Sequence, residues 1–300
     1  MRGWRGLLWL SLVALPSCNR SSPPTAADGA AGASGAAPAS VAATTLAPVA
    51  VAAPAARPAP LGCRVMSSTG PAQRTSGATV QTGDRFLGSD WLELGKGTKL
   101  HLKHGESGRE WTLRGPARVL PCVDGQEELI VAEGNVRTES GAGVRPGAQV
   151  LIGTPFGSVR YADASAQLEV SSEALRLSVS VGDTWLRTSS GESTPETQVT
   201  RAKPAQRGRR ERLQATAAVT ECERAARASE TLAKSLLGPA APGLGQRAAD
   251  HVRARELARG RCAAAAAAVL QQDSGSEREQ RLLQLAAYRE VWRRVPPADG

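Results

Sequence analysis

The sequence predicts a chain that is β first and α second, behind a long unstructured leader. Three observations carry that prediction. Leu175, Leu177, Val179 and Val181 take alternate positions, with Arg176, Ser178 and Ser180 between them. A period of two places one set on each face of a pleated strand, and Gly182-Asp183 then turns the chain into Trp185 and Leu186. Residues 207–295 are instead rich in Ala, Glu, Arg and Leu, all good helix formers. Residues 19–62 show neither period and consist mainly of Ala, Pro, Ser, Thr and Gly.

Composition narrows the classes. Aromatic residues make up 3% of the 300 residues against 41% hydrophobic overall, so the core must be built from Leu, Val, Ile and Ala. The abundance of Arg, Ala, Gly and Pro is the bias of GC-rich coding sequence and carries no functional weight. The formal charge of +9 and the pI near 9.9 permit nucleic acid, anionic lipid or acidic glycan as partners. The excess is spread over several segments.

The N-terminus holds the most specific pattern. Arg2 and Arg5 form a positive region, and Leu7–Leu15 is an apolar run of about nine residues, within the secretory range and too short to span a bilayer. Leu15-Pro16-Ser17-Cys18 follows and resembles a bacterial lipobox, with Pro16 an unusual occupant of its place. That resemblance implies cleavage after residue 18's predecessor and acylation of Cys18; an ordinary signal peptide with an incidental cysteine is the alternative. Several acyl chains, at ~0.8 kcal/mol per buried CH2, give lasting membrane attachment. Asn19 stands where Asp would favour retention in the inner membrane, so the outer membrane is expected. Residues 19–62 read as a disordered tether, because Pro38, Pro48, Pro54, Pro58 and Pro60 oppose a helix. When extended it reaches roughly 100 Å.

Residues 63–190 read as a β-domain. Leu92 and Leu94, Leu100 and Leu102, and Trp111 and Leu113 alternate with polar neighbours, and Leu129–Ala132 is a continuous apolar run. Val150 and Ile152, Val159 and Tyr161, and Leu168 and Val170 add further short strands. Gly-containing turns separate them, which argues for a sandwich, barrel or solenoid rather than βαβ units. The succession LELGKGTKLHL, EWTLRGPARVLP, EELIVAEGNVRTE and VLIGTPFGSVRYAD, closing on Gly182-Asp183-Thr184-Trp185, resembles a FecR-type periplasmic domain over about residues 75–188, with Thr154-Pro155-Phe156-Gly157 matching that family's threonine-proline-x-glycine strand. The resemblance implies a β-solenoid or β-roll and a role in envelope signalling or scaffolding. Members that relay transport signals carry a cytoplasmic part and a membrane span before this domain. A signal-peptide pattern stands there here, so control of a sigma factor across the membrane is not expected.

With Cys18 assigned to lipid, four of the five cysteines remain: Cys63, Cys122, Cys222 and Cys262. An even number in an exported chain reads as disulfides, and four cysteines allow three pairings. Cys63 and Cys122 bracket the first half of the β-domain. Cys222 and Cys262 are equidistant from Pro242, so two antiparallel helices turning there bring them level. Such a loop of about 40 residues stabilises by ~4 kcal/mol in the chain-entropy model. No two cysteines have zinc-site spacing, which disfavours metal ligation. The helical part, 207–295, divides into helices over about 209–237, 246–272 and 276–295. Ser276-Glu277-Arg278-Glu279 forms a capping box, and Pro296-Pro297 stops the last helix. Leu282, Leu285, Ala286, Arg289 and Trp292 trace one face of it, and the run Ala263–Ala268 permits close helix approach.

The residue patterns of common chemistries are missing. Gly95-Lys96 resembles a P-loop, but Asp90 and Gly97 replace its first glycine and its hydroxyl. His101 and His104 lie on opposite faces of a strand, so neither helps the other hold a metal. No serine-hydrolase signature occurs. Glu127-Glu128 beside a turn, and His251 on an Arg-rich helix, read as solvated. Arg201–Arg212 is the densest basic stretch; it lacks interleaved aromatics, so nucleic acid is not expected. A solvated linker, 191–206 and onward, is the first reading, with contact to anionic lipid or glycan as its rival. Trp91 lies on the face opposite Leu92 and Leu94; it reads either as an exposed contact that stacks on a sugar or partner or, the more frequent case, as the cap of a barrel end. The expectation is a non-enzymatic envelope lipoprotein with no cofactor. It is held to the membrane by its acyl anchor and senses or scaffolds an unidentified envelope protein. The alternative is a glycan- or peptidoglycan-binding lipoprotein.

Overall fold

A computed structural model of the chain describes residues 62–88, 90–105, 107–139, 149–188, 196–236 and 244–293. Cys18 and the tether lie outside them. The described residues form a mixed sheet of many strands followed by a helical region. In chain order the strands are β1 (Cys63–Thr69), β2 (Ala72–Arg74), β3 (Arg85–Phe86), β4 (Leu92–Leu94), β5 (Lys99–His104), β6 (Glu110–Pro121), β7 (Glu128–Glu139), β8 (Val150–Thr154), β9 (Gly157–Tyr161), β10 (Ser165–Val170), β11 (Ala174–Val181), β12 (Thr184–Arg187), β13 (Thr197–Val199) and β14 (Ala205–Gly208). The helices are α1 (Ala215–Leu236), α2 (Leu244–Gln272) and α3 (Gly275–Arg293).

Two strands of 12 residues each, β6 and β7, form the spine. The first half of β6 pairs with β5 and its second half with β4. On its other side β7 pairs with β8 over Glu128–Ile130, in parallel, and with β10 over Gly134–Thr138. The change of neighbour coincides with a break in register between Arg114 and Arg118, opposite Gly134. Extra residues in one strand bend and twist it, which splits the sheet into two leaves. Gly134, at φ 128°, allows the crossing, since a Cβ there would collide with Ala117. The sheet does not close; its longest path ends at β13 and β3.

The inward faces meet in one core. Leu92, Leu94, Trp111, Leu113, Leu129, Val131, Ile152 and Leu168 all belong to it. The next residues along the same strands, Trp91, Ile130, Ala132 and Leu151, face the other way into a second core shared with the helices. This explains the buried runs Glu128–Ala132 and Val150–Thr154: both faces are covered, so no polar residue is needed between the apolar ones. The alternation of Leu175, Leu177 and Val179 inward and Arg176, Ser178 and Ser180 outward is found as read. Val181 is 64% exposed, because a bulge between the Ala166–Val179 and Ser165–Val181 pairs adds one residue to β11 and ends the alternation before it.

The helices lie on the sheet. In α1, Ala218, Cys222, Ala225, Ala226, Ser229 and Ala233 are buried at helical spacing. In α2, Ala263–Ala268 are buried on every side, between the sheet and α1. Small side chains permit that double approach. The sulfurs pair Cys63 with Cys122 and Cys222 with Cys262, the second bond joining α1 to α2. Sheet and helices belong to one compact unit. Among the described residues, no helix is long and apolar enough to cross a membrane.

Three expectations are corrected. The stretch read as a linker carries β13 and β14, which hydrogen-bond to β12 and β11. The first helix starts at Ala215, not near 209, because Arg209–Glu211 form a tight turn and the amide of Leu213 donates to the carbonyl of Pro155 at 2.7 Å. His251 is 2% exposed rather than solvated. It shares a face of α2 with Ala258 and Cys262, the side that the disulfide draws onto α1. Burial, and secondarily the charge of Arg255, hold its imidazole below the ordinary value. A depressed imidazole stabilises the fold above the free value and loses that contribution as pH falls.

Candidate functional site

The site is organised by Glu127 and Glu128, read above as a solvated pair. Glu127 ends the bend before β7 and Glu128 opens the strand; the two side chains go to opposite faces, and both faces are covered. Glu127 turns inward. Its Oε2 lies 3.3 Å from Arg109 Nε, and its Oε1 lies 3.7 Å from His104 Nδ1. Glu128, 2% exposed, turns toward the helices. Its Oε1 is 2.7 Å from Arg289 Nη2 in α3, and its Oε2 is 4.0 Å from Arg259 Nη2 in α2. Arg289 Nε also meets Asp124 Oδ2 at 3.2 Å. Arginines more than a hundred residues away therefore neutralise a carboxylate that looks solvated from its neighbours alone.

The inner cluster has defined proton positions. The Gly125 carbonyl can only accept, so His104 Nε2, at 3.1 Å, donates to it. The Ser107 amide can only donate, so Nδ1, at 3.3 Å, accepts. These two contacts make Nε2 the donor and Nδ1 the acceptor. Ser107 Oγ and Glu127 both face Nδ1, at 3.1 and 3.7 Å. A serine relay needs the hydroxyl and the carboxylate on opposite ring nitrogens, so these three side chains do not form one. His101, on the other face of β5 as expected, pairs with Glu110 at 3.1 Å. Deeper in, Trp111 Nε1 donates to the Tyr161 hydroxyl at 2.9 Å. Burial pushes that hydroxyl above the ordinary phenol range.

The Tyr161 shift sets a pH dependence. A raised value in the folded state contributes stability that is complete below the unfolded value of about 10 and is lost as pH rises through the folded one. The melting temperature of the native chain should therefore fall faster than that of Tyr161→Phe between pH 10 and 11.5. At pH 8 the variant should be less stable by about 1 kcal/mol, for the lost hydrogen bond. Parallel melting curves from pH 8 to 11.5 check both; equal slopes above pH 10 would contradict the assignment.

On the outer face of the sheet lies a cavity of about 410 Å³ between β-strands and α3. Trp91, Leu120 and Ile130 form its floor, and Ala266 and Leu270 of α2 form one wall. Leu282, Leu285 and Ala286 of α3 roof it, and Leu283 and Glu279 stand among its lining residues. Thr75, Gly88, Val123, Asp124 and Arg289 complete it. The segment Cys122–Asp124 is the one place among the described residues where non-glycine residues take left-handed backbone, at φ 50° for Cys122 and 59° for Asp124. It is held there by the disulfide to Cys63, the ion pair to Arg289, and the close passage of Gly88, where any Cβ would strike the Asp124 amide. Strained backbone of this kind concentrates at functional sites.

Trp91 is corrected from an exposed contact to a buried wall. It does face away from Leu92 and Leu94, but that face is under the helices and only 9% of the residue is exposed. The Arg278 guanidinium lies 4.2 Å from its ring centre and that of Arg118 lies 5.9 Å away. Of the other predicted residues, Cys63 and Cys122 adjoin the cavity's strained end, and Cys222 and Cys262 lie in the helix pair. Of the predicted α3 face, Leu282, Leu285, Ala286 and Arg289 meet at the cavity; the Trp292 side chain lies outside the described part. The cavity, the strained turn and the Glu128–Arg289 pair have no local signature in the sequence. They arise where strands near residue 90 and residue 125 meet helices near residues 266 and 285.

The chain matches no protein-family model and no curated protein.

Proposed function

We propose that the protein is a bacterial envelope lipoprotein, anchored through Cys18 and facing the periplasm, whose folded part is a non-enzymatic binding, sensing or scaffold module. One observation carries this reading. All four cysteines beyond Cys18 close into two disulfides, which leaves Cys18, at the end of the apolar leader, as the odd cysteine of five. Buried disulfides belong to an oxidising compartment, and an unpaired cysteine at that position suits acylation. The FecR-like reading, with its β-solenoid, draws support from the Thr154–Gly157 phrase. It forms the tight turn between β8 and β9, where the Thr154 hydroxyl donates to the Gly157 carbonyl at 2.8 Å and accepts from the Phe156 amide at 3.2 Å. The glycan-binding alternative loses Trp91 as a surface platform.

The test has two arms. Cells producing the full chain are fed an alkyne analogue of palmitate and fractionated. The native chain should carry the label and sediment with membranes, and Cys18→Ser should lose the label and become soluble. Unchanged labelling and partition in the variant would overturn the lipoprotein reading. The mature chain is then incubated with purified sacculi and with envelope extract. Recovery of one envelope protein without sacculus retention supports the scaffold reading, and retention that muramidase releases replaces it with the glycan-binding one.

A further inference from the structure

We infer that the cavity beneath α3 is a binding site for an amphiphilic amine, an alkyl or aryl-alkyl chain ending in a single ammonium group. The assignment rests on reading the folded part as a binding module and is independent of the acyl anchor.

Volume and lining come first. A space of about 410 Å³ falls in the range of sites that take small molecules, and its floor and walls are Trp91, Leu120, Ile130, Leu270 and Leu285. The disulfide and the Asp124–Arg289 ion pair hold its strained end. A site built this rigidly does not spend binding energy on closing. Leu283, 71% exposed, extends the apolar lining outward, where a chain longer than the cavity continues along it.

Charge then selects the head group. Three charged residues line the space: Asp124, Glu279 and Arg289. Arg289 is engaged by Asp124 and Glu128 at 3.2 and 2.7 Å, so it has little attraction left for a ligand anion. The nearby cations outside the lining are engaged as well. Arg118 meets Glu93 at 3.2 Å and the Leu270 carbonyl at 2.9 Å, and Arg278 donates to the Asp273 carbonyl at 2.7 Å. Glu279 is exposed and makes no ion pair among the described residues. An apolar space whose uncommitted charge is a carboxylate favours an ammonium head and opposes a carboxylate or sulfonate head.

The experiment uses the full chain carrying Cys18→Ser, so that no acyl chain of its own competes. The neutral dye N-phenyl-1-naphthylamine reports occupancy by fluorescence, and decylamine and decanoate compete with it at pH 7. Decylamine should displace the dye about tenfold more effectively, because attraction of one head and repulsion of the other each contribute a factor of about three. Shortening the amine should weaken it about fourfold per methylene removed. Glu279→Gln should bring the amine-to-carboxylate ratio below about threefold, each competitor being referred to the variant's own dye affinity. Ala286→Trp, at an exposed lining position whose change costs no core contact, should fill the space and weaken dye binding at least tenfold at an unchanged melting temperature. Absence of dye binding, equal displacement by the two heads, or a ratio that survives Glu279→Gln would each overturn the inference. So would undiminished binding in Ala286→Trp. None of these results bears on palmitate labelling at Cys18, so failure here and failure of the envelope reading are separable.

Discussion

Replacing Glu128 by Ala is expected to lower the free energy of unfolding by about 3–5 kcal/mol, among the largest effects of any single side chain in this fold. Glu128 is 2% exposed and faces two guanidinium groups, those of Arg289 and Arg259, that reach it from different helices. Arg259 retains Glu256 at 3.2 Å, and Arg289 retains Asp124. Each cation thus keeps one carboxylate, but Arg289, only 8% exposed, loses the acceptor that its Nη2 had at 2.7 Å. Most of the cost is a buried guanidinium left with one carboxylate where it had two, rather than the worth of the pair, which gives a second expectation. Glu128→Gln should cost nearly as much as Glu128→Ala, whereas the double replacement Glu128→Met with Arg289→Met should recover much of the loss. Urea denaturation of the four chains checks this. A cost below 1 kcal/mol for Glu128→Ala would mean that water reaches Arg289 and that the helical layer is not locked to the sheet through this pair.

That pair also shows where the sequence stops being legible. The alternation that assigned faces to Leu92, Leu94, Leu175 and Leu177 is local, and the structure keeps it. What alternation does not reveal is what covers the opposite face. Trp91, Glu128 and His251 were all read as solvated or exposed, and all are buried for one reason: an element far along the chain packs over them. The run Leu129–Ala132 held the missing hint. A strand with water on one face needs polar residues at every second position, and this run has none. The Cys222–Cys262 pairing was accessible because two arms of equal length about Pro242 give a geometric constraint that composition does not blur. The cavity was not accessible at all. Its lining comes from six separate stretches, and no stretch by itself looks unusual.

Gly153→Val is the second substitution expected to have a large effect. It tests the spacing on which the cavity depends. Gly153 sits in β8 with ordinary backbone angles, so its role is space rather than conformational freedom. A Cβ built there falls inside van der Waals contact of the Ala263 carbonyl and 2.7 Å from the Ala263 Cβ. The obstacle is helix backbone, which cannot swing aside as a long side chain can. One strand further, a Cβ at Gly260 would lie 2.7 Å from the Ser158 hydroxyl. The β8–β9 hairpin and α2 thus meet at two glycines, one from each element. Alanine should cost about 1–3 kcal/mol, and valine at least about 3, because α2 must then lift along the whole Ala263–Ala268 run and forfeit dispersion contacts on both sides. Gly208→Ala, where a Cβ meets nothing within 4 Å, is the control and should change stability by less than about 0.5 kcal/mol. Thermal and urea unfolding of the three variants gives the ranking. The same lift moves Ala266 and Leu270, which wall the cavity, so dye affinity in Gly153→Ala should fall along with stability although Gly153 does not line the site. If stability falls and affinity does not, the cavity's shape is set by α3 and the strained Cys122–Asp124 turn alone. If neither falls, the close contact between α2 and β8 relaxes at no cost, and glycine at 153 has no packing role.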